Sequence, residues 1–70
     1  MEYEYNAIVH ISPLRDGWES DPEAVRYGVM NAFDRAMRDA AALPTVEVIS
    51  QHVAFSGESV IVTLLVREPR

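Results

Sequence analysis

The feature that most constrains the fold is the run Val60-Ile61-Val62-Thr63-Leu64-Leu65-Val66, seven residues with one hydroxyl and no charge. A strand with water on one side alternates apolar and polar residues, whereas a run without alternation suits a strand covered on both faces, in the middle of a sheet. The rest of the 70 residues must therefore supply two flanking strands and something to lie over them.

The first flanking strand is expected at residues 3–11, where Tyr5, Ala7, Val9 and Ile11 share one face and Glu4, Asn6, Ile8 and His10 the other. The more apolar set is expected to be the buried one. Pro13 ends this strand, and Asp16-Gly17 signals a turn in a loop that carries the only tryptophan, Trp18. Ser20-Asp21-Pro22-Glu23 announces a helix over residues 21–43, with either Ser20 or Asp21 as N-cap. Val25, Val29, Ala32, Phe33, Ala36, Ala40 and Leu43 form its apolar stripe, widened on one side by Met30, Met37 and Ala41. Opposite lie Tyr27, Asn31, Asp34, Arg35 and Arg38, with weak i,i+4 ion pairs expected for Asp34/Arg38 and Arg35/Asp39. Gly28 inside the helix costs about 1 kcal/mol relative to alanine, which is read either as close backbone approach to the sheet, the favoured reading, or as mere tolerance. Pro44 closes the helix. Residues 45–55 read as a second strand, Ser56-Gly57-Glu58 as a tight turn and residues 59–67 as the third strand, with Glu68-Pro69-Arg70 frayed.

These elements make a single α+β domain over residues 1–70, with the order βαββ. A right-handed crossover from strand 1 through the helix, with strand 3 inserted in the centre, gives an antiparallel sheet in the order 1-3-2. The helix covers one face, over Val9, Val48, Val62 and Leu64. The other face is then expected to carry Ile8, His10, Ile49, Gln51, Val53, Phe55, Ile61, Thr63 and Leu65, a mostly apolar patch larger than monomers normally leave open. Strand 2 is an edge in which Glu47 is the only acid, with His52 as its only other titratable group, so little opposes its pairing with another edge. The candidate interaction residues are those nine, with Trp18, Tyr27, Met30 and Met37 as secondary contacts. A second copy of the chain is the expected partner, with another protein as the other option.

Size and charge point the same way. A chain this short buries only about 60% of the surface its unfolded form exposes. Without cysteine, disulfides and thiolate metal sites are closed to it, which leaves self-association as the usual route to stability. Six Arg, no Lys and eleven acids give a net charge of −5, unsuited to a nucleic-acid backbone. The Arg-only usage with many Ala and Val is that of a GC-rich bacterium or one of its phages. No basic-then-apolar leader follows Met1 and no window is apolar enough to span a membrane, so the expected location is cytoplasmic, without a membrane partner.

Chemistry finds little support. His10 and His52 lie on strands separated by a third, about 9.6 Å apart at the ordinary strand spacing, and alternation points them to opposite faces. The acids are scattered, and Gly17, Gly28 and Gly57 are isolated, so there is neither a carboxylate dyad nor a phosphate loop. No catalytic residue, metal or cofactor is expected.

Thr45-Val46-Glu47-Val48 opening strand 2, Gln51 further along it, and the run Val60 to Val66 as strand 3 resemble the dodecins, small proteins that assemble from helix-covered antiparallel sheets into hollow dodecamers and bind flavins. The resemblance implies a homo-oligomer and, as an alternative function, flavin binding or storage. Dodecins place a tryptophan at the opening of strand 2, where this chain has Leu43-Pro44-Thr45. The leading expectation is a non-enzymatic interaction module that self-associates through its uncovered sheet face, in the manner of a small bacterial or phage regulatory protein that docks on a host target.

Overall fold

A computed structural model describes residues 2–70. Strand β1 (Tyr3–Pro13) is followed by a short 3-10 turn (Trp18–Ser20), helix α1 (Pro22–Ala41), strand β2 (Glu47–Ser56) and strand β3 (Ser59–Pro69). The sheet is antiparallel throughout in the order β1-β3-β2, as the uninterrupted apolar run requires. Strand β3 reaches Pro69, and the last residues are held: Arg70 N–H donates to the Glu2 carbonyl and the Thr45 hydroxyl to Glu68.

Helix α1 begins at the second of the two frames. Asp21 is the N-cap, its carboxylate accepting from the backbone N–H of Glu23 and Ala24, with Pro22 in the first turn where no N–H is needed. The Arg15 guanidinium donates to the same carboxylate and holds it below its usual pKa, with the two backbone N–H groups helping. The helix ends at Ala41, so Leu43 lies beyond it and is half exposed.

The buried line of the helix is Ala24, Gly28, Ala32, Ala36 and Ala40, one small residue every fourth position. It rests on Val60, Val62, Leu64 and Val66 of β3, with Leu14 completing the core. Val25, Val29 and Phe33 flank this line on the side toward β2, and Asn31 and Asp39 flank it toward β1. Both polar residues are used there. Asn31 donates to the Ser12 hydroxyl at 3.1 Å, and His10 Nε2 donates to Asp39 Oδ2 at 2.6 Å. Asp39 thus serves the sheet, in place of the expected pair with Arg35.

The register corrects the face expected for β1. Ile8, His10 and Ser12 lie opposite Leu64, Val62 and Val60, under the helix, while Tyr5, Ala7, Val9 and Ile11 lie opposite Arg67, Leu65, Thr63 and Ile61, away from it. The less apolar set is the covered one because its polar members find partners on the helix and because its phase continues to buried Leu14. Val9 is accordingly on the open face, contrary to expectation.

In β2 the ladder slips between Val48 and Ser50. Val48 pairs with Val66 and faces the helix, but Ser50 pairs with Leu65, so the extra residue reverses the phase of the remainder of the strand. Gln51, Val53 and Phe55 pair with Leu64, Val62 and Val60 and face the helix side. The hairpin closes on the two-residue loop Gly57-Glu58, where Gly57 takes a φ of 58° that a side chain rarely adopts.

Candidate functional site

The helix lies over β1 and β3 and barely touches β2. Two surfaces remain. The first is the open face of the sheet, built in rows across β1, β3 and β2: Tyr5-Arg67-Glu47, Ala7-Leu65-Ser50, Val9-Thr63-His52 and Ile11-Ile61-Ala54. Ile49, in the bulge, sits beside the second row. Tyr5, Val9 and Ile11 are each more than half exposed, and Ile49 and Leu65 more than a third. One end of the face is closed by a polar cluster in which Arg67 donates to Glu47 at 3.2 Å and lies 4.3 Å from the centre of the Tyr3 ring. Glu47, first of all, keeps the Arg67 guanidinium more firmly protonated than usual. The middle of the face is apolar on β1, apolar apart from Thr63 on β3, and carries Ser50, His52 and Ala54 on β2.

Of the nine residues expected on this face, Ile49, Ile61, Thr63 and Leu65 are there. Ile8, His10, Gln51, Val53 and Phe55 are on the helix side, for the two reasons of phase given above. Tyr5, Ala7, Val9 and Ile11 take their place. Extending the alternation of β1 past Pro13 to Leu14 is the signal in the sequence that separates the two phases, since Ile8 and Leu14 then bracket the buried set.

The second surface is the helix side of β2. Ile8 is partly buried against the core, but Val53 and Phe55 stay 42% and 50% exposed because no helix passes above them. Trp18 stacks on Phe55 with rings 7° from parallel and centres 6.2 Å apart. Met37 is partly exposed on the neighbouring flank of the helix. Tyr27 and Met30 do not join this group. They line a shallow depression of about 400 Å³ with Arg15, Glu23 and Arg26, where both arginines are matched, Arg15 by Asp21 and Arg26 by Glu23.

His10 and His52 do point to opposite faces, each to the reverse of the one expected. Ser12, two residues beyond His10 on the same face, is buried and already accepts from Asn31, so this hydroxyl is not open to a substrate. Among the described residues no three His, Asp or Glu side chains gather as a metal site, and no helix is long and apolar enough to cross a membrane. The chain matches no family model, no curated protein and no solved structure.

Proposed function

We propose that this chain is a non-enzymatic interaction module that self-associates through the open face of its sheet. The observation that carries this reading is shape. The chain exposes 4995 Å² for a mass of 7.9 kDa, against about 4,400 Å² for a compact folded chain of that mass. Its radius of gyration is 13.9 Å, where a compact chain of this length has about 11 Å. The excess surface, about 600 Å², approaches what one partner contributes to a standard interface. Ile11, Ile61, Val9 and Leu65 are contiguous on the open face, and burying them in a second copy would add apolar burial to the small core between the sheet and its helix.

Molar mass by light scattering, recorded with the absorption spectrum on the eluting protein, tests this. A colourless oligomer is expected, and Ile61→Glu or Leu65→Glu should lower its mass by at least half. A wild-type chain that stays monomeric at high concentration would sink the reading. A yellow dodecamer would instead favour ligand binding of the dodecin kind.

A further inference from the structure

We propose that β2 is a second interface, pairing antiparallel with β2 of another copy about a two-fold axis at Val53. This extends the self-association reading to a separate surface and does not need the open face to be occupied. The first support is what the edge lacks. From Ile49 to Gly57 there is no Asp, Glu, Lys, Arg or Pro, the residues that ordinarily guard an exposed strand. The other edge, β1, carries Glu4 near one end and Pro13 at the other.

Two irregularities set the register. The bulge at Ile49/Ser50 ends the regular ladder on one side and the Gly57-Glu58 turn ends it on the other. Between them Ser50–Ser56 is an unbroken strand of seven residues whose middle is Val53. Self-pairing over the whole of it sets Val53 against Val53 of the other copy, Gln51 against Phe55, His52 against Ala54 and Ser50 against Ser56. Every pair then shares a face, and no two like residues with titratable side chains are directly opposed. Shifting the axis to His52 shortens the ladder and opposes two imidazoles.

The side chains agree with this register. Val53, and the half of Phe55 that Trp18 leaves exposed, lie beyond the reach of α1 on the side where it shields β1 and β3. Pairing brings both copies of Val53 together at the axis, with Gln51 of each against Phe55 of the other. The product is a six-stranded sheet, β1-β3-β2-β2-β3-β1, with both helices on one face and both open faces on the other. Contact through those open faces then builds assemblies with an even number of chains.

The chain has no cysteine, so single cysteines report on the axis. Residues directly opposed in an antiparallel pair have Cα atoms about 4.5–5.5 Å apart, within reach of a disulfide. Val53→Cys under mild oxidation should become almost wholly covalent dimer. Gln51→Cys, whose two copies lie four residues apart along the ladder, about 13 Å, should stay a free thiol. Val53→Lys should halve the native mass. A Val53→Cys that stays reduced while the wild type is oligomeric would overturn the edge contact and leave the open-face reading standing, and equal cross-linking at both positions would overturn it too. Cross-linking of Val53→Cys that persists in the Ile61→Glu background, with a mass that Ile61→Glu alone leaves unchanged, would support the edge and remove the open face.

Discussion

Gly28 is the residue at which local preference and packing conflict. A Cβ built there lies 2.6 Å from Leu14 Cδ2 and 3.4 Å from Val60 Cγ1. Alanine gains about 1 kcal/mol of helix propensity, and moving Leu14 off its rotamer costs about as much. Gly28→Ala should therefore change stability by less than about 1 kcal/mol, while Gly28→Val, with two more methyl groups, should lose on the order of 1–3 kcal/mol. In a Leu14→Ala background, Gly28→Ala should stabilise by about 1 kcal/mol, and denaturant melts of the four variants measure the coupling. Additive effects would show that Leu14 is not what excludes the methyl group. The sequence suggests close approach here, but not its partner. Leu14 sits beyond a proline, in what reads as a loop.

At the scale of elements, the bulge in β2 governs which face each residue occupies. Val48 faces the helix and Ser50 the open side, so removing Ile49 alone leaves a ladder that already alternates correctly. Deleting Ile49 should keep the fold and cost no more than about 3 kcal/mol, the value of one buried isoleucine. Deleting Ala54 should abolish cooperative melting, because it sends one part of the strand to the wrong face. Circular dichroism melts of the two deletions distinguish these outcomes. The same feature explains how much was legible in the sequence. Element order, the central place of β3, the helix start at Ser20-Asp21-Pro22 to within one residue and the Gly57 turn rest on neighbours in the chain or on an uninterrupted run, and local reading finds them. The face of β1 depends on Asn31 and Asp39, 19 and 29 residues away from their partners. The face of Gln51 to Phe55 depends on one unpaired residue with no glycine or proline to mark it. Five of the nine residues expected on the open face lie on the other side for these causes.

At the scale of the molecule, a slab with extents of 48 × 18 × 13 Å keeps little of itself away from water. Four of its nine buried hydrophobic side chains are alanines, which contribute little apolar area each. Folding and association should therefore be linked: a hundredfold rise in concentration should lift the melting midpoint by on the order of 10 °C, and calorimetry at two concentrations would detect it. Equal midpoints would mean that the single chain carries its own stability. The alanine line of the helix has a further consequence. Ala24, Gly28, Ala32, Ala36 and Ala40 present nearly the same profile at every fourth residue, so a slip of the helix by four residues along the sheet, about 6 Å, would replace each small residue by another. Apolar packing alone distinguishes poorly between such positions. The helix is indexed by contacts that do not repeat: Leu14 in the notch at Gly28, Asn31 on Ser12 and Asp39 on His10. Two hydrogen bonds and one leucine thus act as the detents of an otherwise smooth rail.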